Sequence, residues 1–233
     1  MRFLAISAAV CALALGGCAA PQGKDVDRQA GRSRVALPSG PWEELGRSNE
    51  SVTLLPGSAI PLQTSAWGLR NGGKELLAVL RIQTNRANKT EHLDPVAWPT
   101  SCDKQVGVTV VDATRGDRIR ANCLRVKHWV PDARWLGKDQ PALARWLGER
   151  QIVLGKPYTY VGYRYTTDGG EVVAVDALVD HRLLRPVPHS NEDFLRADEP
   201  AEKWAADLAQ AVRVSAGMMD GYLAIPPFPL PVQ

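Results

Sequence analysis

The chain lacks the short motifs by which many enzymes are recognised. It contains no G-x-S-x-G elbow, H-E-x-x-H pair, P-loop, G-x-G-x-x-G turn or EF-hand loop. Its four histidines are scattered and form no i, i+4 pair: His92, His128, His181 and His189. Zinc sites use closely spaced ligands, so the sequence indicates no metal and no cofactor. We therefore identify no catalytic residue, and the sequence favours a protein that is not an enzyme.

An excess of charge of one sign is also lacking. Lys and Arg number 28 against 25 Asp and Glu, and no basic block interrupts the mixture. Nucleic-acid binding needs a basic patch or stripe, so we expect no nucleic-acid partner. Long apolar runs are missing as well, because the longest, Phe3 to Leu15, has 13 residues. About 20 are needed to span a bilayer, which excludes this run as a membrane span.

The N-terminus carries the most specific signal in the chain. Met1-Arg2 is a basic start, the apolar run follows, and Leu15-Gly16-Gly17-Cys18 closes it. This order is typical of a secretory signal, and its ending is similar to the lipobox of bacterial lipoproteins. The resemblance implies that residues 1–17 are a signal peptide and that Cys18 carries a diacylglycerol thioether and an acylated amine, with chains such as palmitate.

The same resemblance predicts where the protein lies. Ala19 follows the modified cysteine, at a position where aspartate would favour the inner membrane of Gram-negative bacteria. We therefore expect an outer-membrane lipoprotein whose domain faces the periplasm. The membrane is then its first partner, through the lipid on Cys18, because several acyl chains together hold firmly.

Cysteine is scarce, and each of the four has an assignment. Cys11 leaves with the signal peptide and Cys18 is lipidated, which leaves Cys102 and Cys123. Two thiols in an oxidising compartment predict a disulfide, which stabilises a loop of this size by about 3 kcal/mol. A metal pair or a redox pair is the alternative, but both usually need a close C-x-x-C spacing.

Composition divides the mature chain into three parts. Residues 18–41 are small, polar and interrupted by Pro and Gly, which predicts a disordered tether behind the lipidated N-terminus. Residues 42–222 are expected to form a single domain. Residues 223–233 are rich in proline and are expected to run as an extended tail.

Turn signals between apolar runs predict several hairpins in the domain. Asn71-Gly72-Gly73 separates one pair of strands and Asp168-Gly169-Gly170 another. The expected strands are 51–55, 60–69, 76–84, 106–111, 119–129, 158–166 and 171–179.

Helix signals appear between and after these strands. We expect one helix from Asp139, a short one capped by Ser190, and a long one from Asp198 to Gly221. Hairpins with two main helices predict an α+β fold, an antiparallel sheet with the helices on one face. The order of elements is loosely similar to the PsbP/Mog1-type sandwich.

Asp176 is the titratable group that demands an explanation. It lies in Val172–Val179, which is apolar on both faces of a predicted strand and so typical of a buried central position. A carboxylate there needs a partner. A two-residue turn would place Tyr163 on the same face and predict a Tyr163–Asp176 hydrogen bond. The pair is either a site acid with its ligand anchor or a satisfied core pair, or Asp176 lies at a strand end in water.

Phenylalanine is scarce, at three residues, whereas tryptophan numbers seven. We place Trp146 and Trp204 in the core because they lie on apolar helix faces. The others are expected in or beside loops: Trp42, Trp67, Trp98, Trp129 and Trp135. Indole faces stack well on sugars, so Trp98, Trp129 and Trp135 are candidate glycan-binding residues, with core filling as the alternative.

Two functions therefore remain open from sequence. The first is a tethered module that binds or assembles another envelope protein at the membrane. The alternative is a protein that binds or processes peptidoglycan or lipopolysaccharide with its loop tryptophans and Asp176. A hydrolase would need a second carboxylate about 5–10 Å from the first.

Overall fold

The computed structural model describes residues 28–31, 33–55, 58–85, 102–114, 120–131, 133–155, 157–218 and 221–231, with the backbone alone at 52–55, 58–60 and 133. The signal peptide, Cys18 and Trp98 lie outside these ranges.

The described residues form ten strands and five helices. The strands are β1 (Gln29–Ala30), β2 (Ser33–Ala36), β3 (Trp42–Leu55), β4 (Ser58–Arg70), β5 (Leu76–Thr84), β6 (Thr109–Asp112), β7 (Asn122–Val130), β8 (Tyr158–Thr166), β9 (Val172–Asp180) and β10 (Leu223–Ala224). The helices are α1 (Ala133–Asp139), α2 (Pro141–Glu149), α3 (His181–Leu184), α4 (Asn191–Arg196) and α5 (Glu199–Gly217).

Seven strands form one antiparallel sheet in the order β3-β4-β5-β9-β8-β7-β6. The predicted α+β class and its hairpins are confirmed. β4 and β5 meet at Asn71-Gly72-Gly73, and β8 and β9 meet at Asp168-Gly169-Gly170. β5 and β9 are buried along their whole length because they occupy the middle of the sheet.

The helices differ from expectation in their placement. Side chains that alternate along a strand point to opposite faces. Leu80 and Val175 pack in the cluster that contains α5, whereas Val79 and Leu178 pack in the cluster that contains α1 and α2. The helices therefore cover both faces of the sheet, and the predicted placement on one face is wrong. The reason is that β5 and β9 are apolar on both sides.

The predicted start of the folded part is also wrong. Part of the expected tether belongs to the fold, because β2 pairs with β1 on one side and with β10 on the other. β10 itself comes from the expected tail. β1 and β2 are neighbours in sequence, whereas β10 reaches β2 from the other end of the chain.

The described residues after β10, 225–231, form no helix or strand, and they pack against the domain. Phe228 stacks on Trp204 of α5 at 5.3 Å between ring centroids and lies 6.3 Å from Trp42. The indole of Trp204 donates to the carbonyl of Pro226 at 3.1 Å. The tail thus packs against Trp204 on the buried face of α5.

The local helix signals are mostly confirmed. Ser190 caps α4 by accepting from the Asp193 amide at 3.0 Å. Trp146 and Trp204 are buried, as expected. Asp139 ends α1 instead of capping α2, and α5 ends at Gly217, before Gly221.

The disulfide between Cys102 and Cys123 is confirmed, with 5.6 Å between the two Cα atoms. It ties the segment before β6 to β7, which pairs with β6. The bridge therefore links the chain at the β6 edge of the sheet to the neighbouring strand β7.

Candidate functional site

Asp176 lies in the centre of the sheet, on the face under α2. Its position on β9 is opposite Arg81 on β5 and Gly162 on β8. Both Asp176 and Arg81 are 2% exposed, and Arg81 Nη1 lies 3.2 Å from Asp176 Oδ2. The carboxylate that the sequence placed in a buried strand is indeed buried and has a cationic partner.

Arg81 joins this carboxylate to a second one. Its Nη2 atom donates to both carboxylate oxygens of Glu50 on β3, at 3.1 and 3.2 Å. Thr64 and Gln83 also donate to Glu50, at 3.1 and 3.0 Å. One guanidinium therefore bridges two acids, and neutral side chains satisfy the remaining oxygen lone pairs. Tyr160 and Arg164 also contact Asp176. We call these five residues, Glu50, Arg81, Asp176, Tyr160 and Arg164, the Arg81 cluster.

Tyr160, and not Tyr163, is the hydroxyl partner of Asp176. Tyr160 Oη donates to Asp176 Oδ1 at 2.9 Å. It can do so because residue 162 is glycine, and a Cβ there would collide with the Tyr160 hydroxyl. The Tyr163–Asp176 pair predicted from sequence is therefore wrong.

Tyr163 instead faces the α5 side of the sheet. Its hydroxyl donates to Asn122 Oδ1 at 2.8 Å and lies 3.5 Å from Arg213 of α5. Burial raises the pKa of Tyr163 to about 12. It is a core tyrosine with satisfied polar contacts, separated from Asp176 by the sheet.

Three members of the Arg81 cluster have shifted pKa values: Glu50, Tyr160 and Arg164. Burial by itself would raise the pKa of Glu50, but Arg81 and the neighbouring hydroxyls outweigh it, and the pKa is lowered. Burial and the charge of Asp176 both raise the pKa of Tyr160, which stays a neutral donor. Burial opposes the charge of Arg164, but Asp176, 3.9 Å away, raises its pKa.

This arrangement bears directly on glycan processing. Glu50 supplies the second carboxylate that the sequence left unassigned, on the other side of one guanidinium. A glycosidase needs one of its two carboxyl groups protonated as the general acid. The lowered pKa of Glu50 leaves it ionised, and Arg81 occupies the space between the two acids. The Arg81 cluster is suited to fastening β3, β5, β8 and β9 together.

The candidate tryptophans do not form an open row among the described residues. Trp129 is 49% exposed and meets the ring of His181 edge-on at 4.9 Å. Trp135 is half-buried on α1, where it packs on Tyr160 at 5.3 Å, with Lys127 Nζ 5.3 Å from its ring centroid. Trp67, which we expected near a loop, is buried in β4. Trp98 lies outside the described residues.

An apolar groove lies beyond the C-terminal end of β9. A groove of about 680 Å³ is lined by His181, Arg182, Arg185, Pro186, Val187, Pro188, His189, Phe194, Leu230 and Pro231. We call it the α4 groove. Val187 and Phe194 are 75% and 60% exposed. Sequence analysis missed it because its residues come from a proline-rich loop, a single-turn helix and the tail, which carry no periodic pattern.

The titratable residues that line the α4 groove are all basic. Arg185 lies over the Phe194 ring, 5.3 Å from the centroid, and its Nε is 3.3 Å from Asp198. Arg182 bonds Asp180 and Glu75. Burial and the nearby Arg185 lower the pKa of His181. The acids that pair with these arginines are not among the described residues that line the groove. The described wall of the groove therefore presents N–H donors and no carboxylate.

Neither metal ligation nor a membrane span emerges from the described part of the chain. There, no three His, Cys, Asp or Glu residues lie close enough together to hold a metal ion. None of its helices has the length and apolar character needed to cross a bilayer.

Comparison with known proteins adds no relative. No protein-family model matches the chain, and searches of curated proteins and of solved structures find no match either. The class is therefore defined by the fold alone, as an α+β protein with a seven-stranded antiparallel sheet. The similarity to the PsbP/Mog1-type sandwich rests on element order only.

Proposed function

We propose that this chain is a lipid-anchored protein of the bacterial outer membrane whose periplasmic domain binds another envelope protein. The anchor is the acylated Cys18 implied by Leu15-Gly16-Gly17-Cys18. The observation that carries the binding function is the α4 groove, an apolar concave surface beside exposed side chains. Exposed apolar surface of this kind commonly marks an interaction site.

The chemistry of the groove specifies the kind of partner. Its floor and walls combine proline, valine, leucine and phenylalanine with two arginines and two histidines, and no acid lines it. A protein segment with apolar side chains and at least one carboxylate complements this surface. The apolar groups fill the groove, and the carboxylate accepts from Arg185 or Arg182.

The described tryptophans support a protein partner more than a glycan. Sugar binding by stacking needs open indole faces beside a cleft. Trp135 already uses its ring against Tyr160 and Lys127. Trp129 is half-exposed, and it is the only exposed indole among the described tryptophans. Asp176 is buried in the Arg81 cluster and is not open to a sugar.

Crosslinking in living cells with the full lipidated chain tests the proposal. Val187→Asp places a charge on the α4 groove, and Val106→Asp makes the same change at a valine that is 99% exposed elsewhere. We expect one dominant envelope-protein adduct that falls at least ten-fold with Val187→Asp and persists with Val106→Asp. Equal loss with both variants, or recovery of muropeptides without any protein, would contradict it.

The anchor needs its own measurement. The mass of the mature N-terminal peptide should correspond to an acylated Cys18, and Cys18→Ala should release the protein from the membrane fraction. An unmodified peptide that begins elsewhere would remove the lipoprotein assignment and leave the groove proposal to stand on the crosslinking result.

A further inference from the structure

The β3–β4 hairpin extends beyond the rest of the sheet. β5 pairs with β4 only as far as Thr84 opposite Gln63. β3 and β4 continue to pair past this point, as far as Leu55 opposite Ser58. We call residues 51–55 and 58–61 the ribbon. At about 3.3 Å per residue, the five residues from Gln63 to Ser58 reach about 17 Å further. In the described part of the chain, no third strand pairs with the ribbon.

The ribbon sequence carries no charge. Charged residues make up 23% of the chain, yet there is none between Glu50 and Arg70. Burial in the middle of the sheet explains the second half of this stretch, because Thr64 to Leu69 are buried. It does not account for 51–55 and 58–61, for which the described strands provide no sheet neighbour beyond each other. These positions include Val52, Leu54, Leu55, Ile60 and Pro61.

The anchored end of the chain enters the fold beside the base of the ribbon. The carbonyl of Gln29 accepts from the Ser65 hydroxyl at 2.9 Å, and Ser65 is two residues from Gln63 on β4. Cys18 precedes Arg28 by ten residues, a length of chain that spans at most about 35 Å. The ribbon end is about 23 Å from Ser65, or seven residues of β4. The acylated cysteine and the ribbon end can therefore lie at one surface.

We propose that the ribbon enters the lipid surface to which Cys18 is anchored; this inference rests on the lipid anchor of the proposed function. An uncharged hairpin rich in apolar residues leaves water without the cost of desolvating an ion. The outer edges of a two-stranded ribbon carry backbone groups that need hydrogen bonds. The ribbon therefore sits in the headgroup region, where water and headgroups supply these bonds, and not in the hydrocarbon core.

The anchor makes a shallow insertion effective. Once the lipid on Cys18 is in the bilayer, contact of the ribbon with the same bilayer becomes intramolecular, at a high effective concentration. A two-point attachment holds the domain in one orientation, whereas a tether alone leaves it free to turn. The ribbon thus determines which surfaces of the domain face the periplasm.

Photocrosslinking from the ribbon tests the proposal. A photoreactive amino acid replaces Leu55 in the full chain, and a matched one replaces Leu195 of α4, which is 82% exposed. In cells we expect a phospholipid adduct from position 55 in at least ten-fold excess over position 195. Adding Leu54→Asp should reduce the lipid adduct from position 55 at least ten-fold, whereas Leu195→Asp should not.

Each other outcome overturns the proposal. A protein adduct from position 55 in place of lipid would make the ribbon a protein-binding element, and equal lipid adducts from both positions would reflect nearness to the membrane only. No adduct from position 55 would also reject it. The mass of the N-terminal peptide separates the two failures. If Cys18 is acylated without a lipid adduct, the ribbon inference alone fails, whereas an unmodified Cys18 removes the anchor.

Discussion

The two faces of the sheet are closed by different chemistry, although the same strands build both. On the α5 side of the sheet, residues of β5 and β9 such as Leu80 and Val179 are apolar, and α5 packs over them. Under α2 the same strands present Arg81 and Asp176 beside the apolar Val79 and Leu178. The α5 face is stabilised by burial of apolar surface. The α2 face is stabilised in the same way, but it also requires that its buried charges be paired.

This difference predicts different responses to substitution. On an apolar face, removing buried atoms costs their transfer free energy and leaves a cavity, because the neighbours close only part of the gap. The loss of stability therefore grows with the volume removed. A buried ionic face responds to the loss of one partner far more than to the loss of both, because a single charge is left without compensation. The comparison between the faces can therefore be tested by single and paired substitutions.

The largest effect is expected at Arg81. Arg81→Leu removes the nearer of the two arginines beside Asp176 and the main partner of Glu50, and we expect a loss of about 3–5 kcal/mol in the free energy of unfolding. Urea unfolding of the disulfide-intact domain measures it. Arg81→Leu combined with Asp176→Leu should lose less than the sum of the two single losses. Losses that simply add would show that the two charges are not coupled.

Leu208 provides the matching test on the apolar face. It is completely buried on α5, and Leu208→Ala should reduce the free energy of unfolding by about 2–5 kcal/mol through lost transfer energy and a cavity. Leu208→Met, which conserves volume, should cost less than about 1.5 kcal/mol. If both variants lost the same amount, packing at this position would not be what stabilises the α5 face.

A smaller effect is expected at Gly162. Gly162→Ala adds a Cβ where the Tyr160 hydroxyl lies, which should displace that hydroxyl from Asp176 and cost about 1–3 kcal/mol. Tyr160→Ala in the same background distinguishes the cause, because it removes the hydroxyl and the ring atoms that collide. If Gly162→Ala is equally costly with Ala at position 160, the penalty comes from the backbone and not from the Arg81 cluster.

The smallest effect is a pH dependence from Glu50. Its pKa is lowered in the fold from an ordinary value of 4.5, chiefly because Arg81 outweighs burial. A lowered folded pKa contributes stability that is present above the unfolded pKa and is lost as pH falls through the folded pKa. Glu50→Gln should therefore flatten the acid side of the stability profile below about pH 4.5. An unchanged profile would show that Glu50 does not sense Arg81.

Local signals predicted most of the strands and helix starts. Asn71-Gly72-Gly73 and Asp168-Gly169-Gly170 define hairpins because glycine turns act over a few residues. Ser190 caps α4 for the same reason. The small sheet of β1, β2 and β10 was missed because its strands have only two to four residues, and because β10 pairs with β2 across most of the chain.

The candidate site was only half-predictable. That Asp176 is buried and paired followed from the apolar residues around it, but the identity of its partners did not. The amide of Thr167 donates to the Glu171 carbonyl, which leaves three residues in the turn, with Gly170 at a φ of 78°. A turn of two residues would have brought Tyr163 to the face of Asp176. One additional turn residue moves the pairing by one and sends Tyr163 to the other face.

The sequence by itself determined the two glycine-turn hairpins, the disulfide between Cys102 and Cys123, the cap of α4 at Ser190 and the need of Asp176 for a partner. These features depend on neighbours in the chain or on elimination among few residues. Only the tertiary structure decided that α2 and α5 lie on opposite faces, that Arg81 bridges Glu50 and Asp176, and that the tail completes the α4 groove. Each depends on register and packing between distant segments, where a shift of one residue reverses the face that a side chain occupies.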